Sequence, residues 1–282
     1  MSTETNSGPG VDCHNHIIDP MRFPFADGGG YRPRPDETGT REAFAAVLDA
    51  HGILHALLVQ PSGYATDNRA ILDAVRWQPA RFKAIAVLEP RTSDRDLEAL
   101  GRQGVVGVRF NLPFDPQALF RPEVAPFLAR VKSRGWFVQV HGYDAHWVAV
   151  APLLWRSGVR ILIDHMGLQG TGGGVGQRGF QAVLGLGREA GAVVKLSAPF
   201  RSSTRPPHFE DLDPFVAAII EAFGVERCVW GSDWPFLNTS RRPAYAELLA
   251  PLARWLPNED ARRAVLWENP RRLFGFGGDA SP

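Results

Sequence analysis

Two histidines separated by a single residue, His14 and His16, follow a short apolar stretch that begins at Val11. Side chains alternate between the two faces of a strand, so both imidazoles leave the same face, about 7 Å apart along the chain. Such a pair can bind one metal ion or hydrogen-bond to one carbonyl oxygen. Two structural histidines at a strand end would give the same pattern, so the pair becomes informative only if other polar groups reach the same place.

Six further apolar stretches also end in polar side chains. These are Gln60 and Ser62, Arg109 and Asn111, His141, His165, Ser197 and Arg201, and Asp233. A carboxylate such as Asp233 can hold and deprotonate a water molecule. The imidazoles of His14, His16 and His165 can stabilise an oxyanion, either directly or through a metal ion.

The two arginines can bind a substrate carboxylate, because a guanidinium group donates paired hydrogen bonds to it. Structural roles compete with these catalytic ones: Asp233 could cap a turn, Arg109 could form an ion pair at the rim, and Arg201 could be a solvated charge. Polar residues that only marked strand ends would not need to be His, Asp and Arg. The set therefore favours an active site built from several strand ends.

The elements that would position these residues alternate along the chain. Short apolar strands are predicted at 11–17, 56–60, 82–88, 105–111, 136–140, 160–163, 192–196 and 228–231. Helices are predicted between them, including one from Arg121 with Pro122 in its first turn, and two more at 243–255 and 259–267. Eight such units predict an α/β protein with a single (β/α)8 TIM barrel and its active site at the C-terminal ends of the strands. An open doubly wound sheet is the alternative.

Composition limits the other possibilities. The chain of 282 residues suits one barrel, which we expect over residues 11–282 behind a disordered tail at 1–10. A net charge of +1 and the lack of a long apolar run favour neither nucleic acid nor a membrane as partner. Cys13 and Cys228 are expected as reduced thiols in a cytoplasmic protein. The chain could be a monomer or a homo-oligomer. The loop at 19–39 is expected to form a lid or a pocket wall.

Several motifs resemble those of the amidohydrolase superfamily: His14-Asn15-His16, Asp164-His165-Met166-Gly167 and Gly231-Ser232-Asp233-Trp234-Pro235. Others resemble its amidohydrolase-2 branch: Gln60-Pro61-Ser62, Arg109-Phe110-Asn111, Ser197-Ala198-Pro199-Phe200-Arg201 and Glu268-Asn269-Pro270-Arg271. That branch contains lactonases of pyrone dicarboxylates and sugar acids, together with a galactarolactone isomerase. The resemblance spans nearly the whole chain.

The resemblance implies hydrolysis of a small carboxylated lactone by an activated water. Asp233 would be the base, while His14, His16 and His165 would polarise the carbonyl. Arg109 and Arg201 would hold substrate carboxylates, with Gln60, Ser62 and Asn111 as further substrate-binding residues. Isomerisation of a sugar-acid lactone, metal-dependent decarboxylation and a non-catalytic binding role remain as alternatives.

One departure from the family concerns substrate. The pyrone-dicarboxylate lactonase has a further arginine soon after its Arg-Phe-Asn motif, and this chain has Leu112-Pro113-Phe114-Asp115 there. The dicarboxylate substrate of that enzyme is therefore not a secure expectation for this chain.

The metal content also stays open. His141 stands where metal-binding members of the superfamily carry a ligand, and with His14, His16 and Asp233 it would give three imidazoles and one carboxylate. That set suits one divalent ion, with zinc favoured. His165 would then lie outside the ligand set. Metal-independent activity uses the same side chains and is equally open.

Overall fold

The structure is a computed structural model that describes residues 9–25, 27, 29–168 and 170–277. Eight described strands form one parallel sheet in which each strand pairs with the next one along the chain. They are β1 (Gly10–Asn15), β2 (Ile53–Val59), β3 (Phe82–Ala86), β4 (Val105–Asn111), β5 (Phe137–His141), β6 (Arg160–Ile163), β7 (Val193–Ser197) and β8 (Cys228–Gly231).

Helices follow the strands on the outside. They are α1 (Arg41–Ala50), α2 (Arg69–Trp77), α3 (Asp94–Arg102), α4 (Val124–Ser133), α5 (Ala145–Ser157), α6 (Arg178–Ala190), α7 (Asp213–Phe223), α8 (Tyr245–Leu249), α9 (Leu252–Trp255), α10 (Glu259–Arg263) and α11 (Asn269–Phe274). A π-helical segment, Ala264–Glu268, joins α10 to α11. The side chain of Thr40 accepts a hydrogen bond from the Ala43 amide and caps α1.

The sheet curls until its first and last strands meet. The His16 amide donates to the Trp234 carbonyl at 2.8 Å, and the Asp233 amide donates to the His14 carbonyl at 2.7 Å. A side chain at Gly231 would bring its Cβ within 2.6 Å of the His14 nitrogen, so glycine allows this close approach. The predicted (β/α)8 barrel is confirmed, and the seam between β8 and β1 lies directly beside the predicted site.

Two apolar cores hold the barrel. The inner core fills the barrel axis with one or two side chains from most strands, among them Val11, Leu57, Ile85 and Leu162, and the C-terminal Phe274 and Phe276 pack against it. The outer core lies between strands and helices. Strands buried on both faces explain why their sequences read as continuous apolar runs rather than alternating ones. Cys13 and Cys228 are free and buried.

Two predicted helices have different boundaries in the structure, and a proline lies at each difference. Helix α4 begins at Val124 rather than Arg121, because Arg121 precedes Pro122 and is extended (φ −68°, ψ 140°), as a residue before proline tends to be. The predicted helix at 243–255 is divided into α8 and α9, with Pro251 between them. Strand β1 begins at Gly10, and the rest of the predicted tail, residues 1–8, lies outside the described residues. No described helix is long and apolar enough to cross a bilayer.

Candidate active site

The C-terminal end of the barrel gathers three histidines around one carboxylate oxygen. Asp233 Oδ1 lies 3.5 Å from His16 Nε2, 3.6 Å from His14 Nε2 and 3.9 Å from His165 Nε2. All four side chains are nearly inaccessible to solvent. The structure thus brings together the four residues that the sequence predicts as catalytic, although their catalytic roles remain a prediction.

The backbone is bent sharply where it delivers these side chains. Three residues just after strand ends, His165, Ala198 and Asp233, have φ values of +51°, +49° and +67°, a region that residues with side chains rarely adopt. The pairing of β1 with β2 also shifts register between Asp12 and Asn15. Such local departures at the same end of the barrel are typical of functional sites, where surrounding contacts maintain them.

Asp12 fixes the turn that carries Asp233. Its carboxylate accepts hydrogen bonds from the amides of His14 and Ser232 at 3.1 and 3.0 Å, and from the Tyr245 hydroxyl at 2.9 Å. Burial raises the pKa of Asp12, and these hydrogen bonds oppose that rise. Asp12 therefore connects the first strand, the last strand and α8 directly behind the histidine cluster.

The hydrogen-bond partner of a histidine's Nδ1 atom indicates where the proton of the neutral ring lies. His16 Nδ1 lies 2.8 Å from the Val59 carbonyl, which can only accept, so the proton of a neutral His16 is on Nδ1 and Nε2 carries a lone pair. His14 Nδ1 lies 3.1 Å from Asp164 Oδ1, and His165 Nδ1 lies 2.9 Å from the Ser197 hydroxyl. Imidazoles that ligate metals are oriented in this way, by an acceptor on the far nitrogen.

Burial keeps the imidazoles of His14, His165 and His141 neutral. It lowers the pKa of His14 to about 3, and it lowers the pKa of His165 and of His141 well below the usual range. His14 adds to the effect at His165, and His165 adds to it at His141. His14 and His165 therefore face Asp233 as uncharged rings at neutral pH.

Asp233 is held ionised by an arginine from the neighbouring strand end. Arg201 Nε donates to Asp233 Oδ2 at 2.6 Å, and Arg201 Nη2 donates to the Leu237 carbonyl at 3.0 Å. Burial alone would raise the pKa of Asp233, but the charge of Arg201 holds that pKa well below its usual range. Arg201 is thus an ion-pair partner of Asp233, and 24% of its side chain is accessible from the cavity side.

Beneath the histidines lies a buried polar network that the sequence analysis missed. Asp164 accepts hydrogen bonds from Gln139 Nε2 at 2.9 Å and from Arg109 Nε at 3.2 Å, and Lys195 Nζ lies 3.2 Å from its other oxygen. Lys195 Nζ also lies 3.1 Å from His14 Nδ1 and donates to Gln139 Oε1 at 2.7 Å. Burial lowers the pKa of Lys195, and Asp164 partly offsets this.

Strand periodicity could have found that network. Lys195 stands two residues before Ser197 on β7, and Gln139 stands two residues before His141 on β5. Side chains two apart on a strand share a face, so both point toward the barrel axis below the site. A lysine within an otherwise apolar strand was the signal.

The remaining predicted residues surround the cluster at greater distance. His141 Nδ1 lies 3.1 Å from Asn111 Oδ1, and its buried Nε2 has no hydrogen-bond partner among the described residues. The side-chain amide of Gln60 donates to the backbone carbonyls of Ala65 and Asp67. The backbone carbonyl of Gln60 accepts a hydrogen bond from Arg109 Nη1 at 3.2 Å. Gln60 therefore shapes the loop after β2, while Ser62, Asn111 and His141 face the cavity.

A candidate metal site is present within the described residues. His14, His165 and Asp233 each offer a ligand atom, and these atoms lie within 4.8 Å of one another. His14 Nε2 and Asp233 Oδ1 are buried, and no described residue gives either of them a hydrogen bond. His16 and His141, both part of the predicted ligand set, do not belong to this cluster. His165, predicted to lie outside the ligand set, does belong to it.

Two adjoining cavities open above these groups. The smaller one, about 100 Å³, is lined by Asp233, Arg201 and the histidines His16, His141 and His165. The larger one, about 680 Å³, lies above β2, β3 and β4 and does not contact Asp233. Tyr31 from the long loop after β1 lines the small cavity, and Gly29 and Gly30 line the large one, as expected of a pocket wall.

Comparison with known proteins agrees with this geometry. The amidohydrolase family model matches residues 11–276. The chain is 30% identical to the 4-sulfomuconolactone hydrolase of Hydrogenophaga intermedia, over 94% of this chain and 88% of that protein. It is 27% identical to the D-galactarolactone isomerase of Agrobacterium fabrum, over 94% of this chain and 90% of that protein.

A solved structure gives the same result. A probable 2-pyrone-4,6-dicarboxylic acid hydrolase from Acinetobacter baumannii, with citric acid bound, superposes with a TM-score of 0.85 at 29% identity, over 95% of this chain and 99% of that one. The family match covers nearly every described residue, from the first strand to the end of α11. This chain therefore belongs to the amidohydrolase family.

Proposed function

We propose that this protein hydrolyses the ring ester of a small carboxylated lactone by attack of an activated water. The observation that carries the proposal is the buried carboxylate oxygen of Asp233, which faces three imidazoles and the small cavity. Relatives named as lactone hydrolases support the substrate class, and the citric acid bound to one of them supports a site for carboxylates.

In this proposal Asp233 accepts a proton from the attacking water and later returns it to the leaving alkoxide. Asp233 is ionised at neutral pH, as a base must be. Arg201 limits the basicity of Asp233 while it holds Oδ2. A substrate carboxylate that engages Arg201 would share that positive charge and make Asp233 a stronger base when substrate is bound.

Arg109 lies at the floor of the same cavity. Its Nε and Nη1 are held by Asp164 and the Gln60 carbonyl, which leaves Nη2 without either of these partners. A guanidinium group fixed in this way can orient an anion with little loss of side-chain entropy. We assign Arg109 and Arg201 to substrate carboxylate binding, and Ser62 and Asn111 to further polar contacts.

We further propose that the cluster holds one divalent cation, zinc being the best match to its nitrogen and oxygen donors. When His16 is neutral with its proton on Nδ1, its Nε2 lone pair faces the anionic Asp233 oxygen at 3.5 Å, an arrangement that a cation relieves. Separations of 3.5–3.9 Å exceed hydrogen-bond lengths but approach the ~3.4 Å expected between ligands of one tetrahedral zinc.

His14, His165 and Asp233 would hold such an ion, with His16 beside them. The ion would polarise the ester carbonyl. Elemental analysis of protein purified without added metal, paired with assays after chelation, tests this part: close to one equivalent of zinc and loss of activity on chelation is expected. Fully active protein with less than about a tenth of an equivalent would contradict it.

The proposed reaction is tested by product analysis on a panel of carboxylated lactones, with Asp233→Asn protein as the matched control. A ring-opened acid formed by the wild type and not by the variant is the expected result. A second lactone as product would support isomerisation, the reaction named for the Agrobacterium relative. Released carbon dioxide would support decarboxylation, and binding without turnover would contradict an enzymatic role.

A further inference from the structure

Helices α5 and α6 pack side by side on the outside of the barrel and leave an open groove of about 550 Å³. On α5 the groove is lined by Val148, Ala151, Pro152 and Trp155. Their spacing of three and four residues places them on one side of the helix. Trp155 is 53% exposed and Val148 is 37% exposed, so this apolar stripe faces solvent. Contiguous exposed apolar patches mark interaction sites on protein surfaces.

A matching row of residues on α6 lines the other side of the groove. It consists of Arg178, Gln181, Ala182, Gly185 and Glu189, again three or four residues apart. A Cβ added at Gly185 would meet no atom within 4 Å, so the middle of the row is open to a neighbouring surface. The two rows together are the α5–α6 face, which is apolar on α5 and charged at both ends of α6.

The two charges of α6 lie at the ends where their own helix disfavours them. Arg178 is the first residue of α6, and Glu189 is the last but one. Both are exposed, and neither forms an ion pair among the residues that the structure describes. A helix dipole favours an anion at the N-terminus and a cation at the C-terminus. Helix stability therefore does not explain these charges, whereas an antiparallel helix with the same two charges would complement both.

We propose that the α5–α6 face binds the same face of a second copy of this chain, related by a two-fold axis that runs across both helices. Under that axis each helix lies antiparallel to its own copy. Arg178 then meets Glu189 of the second copy, and Val148 meets Trp155 of the second copy. A single axis brings both pairs together, because each pair is placed almost symmetrically about the middle of its 13-residue helix.

The oligomeric state of the full chain is the first test. Two helices from each copy make a small interface, so we expect a reversible dimer with a Kd on the order of 1–100 µM. Sedimentation equilibrium over about 1–500 µM protein should show the mass rising from 31.0 kDa toward twice that value. A wild type that stays at 31.0 kDa throughout overturns the proposal and leaves the face to a different molecule.

Trp155→Glu tests whether this face is the interface. The substitution places a charge in the apolar stripe of each copy, so it should raise the dimer Kd at least about 100-fold. Trp77→Glu is the matched control, since Trp77 is also exposed, at 38%, but ends α2, three helices before α5. A dimer that survives Trp155→Glu, or that is lost equally in the control, overturns the placement on the α5–α6 face.

Charge reversal tests the antiparallel pairing. Arg178→Glu sets two carboxylates against each other at both ends of the interface, and Glu189→Arg sets two guanidinium groups there. Each should raise the Kd about 10- to 50-fold, and the double variant should return it to within about threefold of wild type. Each reversal suits the helix dipole, so the thermal unfolding midpoint of the dilute monomer should not fall, which separates loss of the dimer from loss of the fold. A double variant as weak as the single ones overturns this arrangement.

Discussion

Two polar layers at the top of the barrel differ in how completely their atoms are paired. In the lower layer, Lys195, Asp164, Gln139 and Arg109 satisfy one another through direct hydrogen bonds. In the upper layer, Asp233 Oδ1 and the Nε2 atoms of His14 and His141 are buried without hydrogen-bond partners in the described part of the chain. Unpartnered buried groups destabilise a protein, so they persist where a ligand or reacting molecule completes them. The comparison assigns the lower layer to support and the upper layer to chemistry.

Asp233→Asn tests the catalytic role assigned to the upper layer. The amide keeps the shape and loses the proton-accepting group, so turnover should fall by ~10²–10⁴. That loss corresponds to roughly 2.7–5.4 kcal/mol of activation free energy. Steady-state kinetics on the best lactone, with thermal unfolding as the folding control, measures it. Turnover within a factor of three of wild type would remove Asp233 from the mechanism.

Lys195→Met tests the lower layer. It leaves Asp164 buried with fewer partners, and removing one member of a buried ion pair costs about 3–5 kcal/mol of unfolding free energy. Denaturant unfolding measures the change. Lys83→Met is the control, since Lys83 faces the ring of Phe276 and has no ion pair among the described residues. Equal losses from the two variants would contradict a special role for the network.

Arg201→Met tests whether a residue bound to the upper layer also binds substrate. Arg201 reaches both Asp233 and the cavity, so its loss should raise the KM for an anionic lactone about 10- to 150-fold, as expected from a lost charged hydrogen bond of about 1.5–3 kcal/mol. The same substitution at Arg109 should also lower stability, because Asp164 loses a partner. A KM unchanged in Arg201→Met would show that this residue does not bind substrate.

Glu37 lies beside the upper layer but is fully paired, so the comparison predicts a stability role. It accepts hydrogen bonds from the Arg34 and Asn238 amides at 2.8 and 2.7 Å and from the Tyr31 hydroxyl. Burial alone would raise the pKa of Glu37, but the hydrogen bonds from Tyr31 and the two amides lower it. Glu37→Gln should cost about 1–3 kcal/mol of unfolding free energy at pH 7 with kcat maintained.

The sign of the pH dependence follows from that lowered pKa. Glu37 binds a proton more readily in the unfolded chain, near pH 4.3, than in the folded one. Its contribution is therefore complete above about pH 5 and is lost as the pH falls through its folded pKa. Unfolding of wild type and Glu37→Gln as a function of pH should show the gap closing in acid. A gap that widened in acid would be incompatible with a lowered pKa.

The sequence predicted the barrel because strands buried on both faces leave continuous apolar runs with polar residues at their ends. It predicted the residues of the upper layer for the same reason. It missed Lys195 and Gln139, because a polar residue inside a strand is recognised only once the inward face is known. The predicted metal ligands differ from the cluster of His14, His165 and Asp233, since the bend after β6, with His165 at φ +51°, is not readable from residue types.

The central claim is that a water molecule attacks the ring carbonyl at Asp233, and ¹⁸O-labelled water tests it most directly. A carboxylated lactone that the protein turns over is incubated in labelled water, and the product is analysed by mass spectrometry. The account predicts a ring-opened hydroxy acid with one ¹⁸O atom in the newly formed carboxylate. An unlabelled second lactone, or a label in the hydroxyl group, would contradict it.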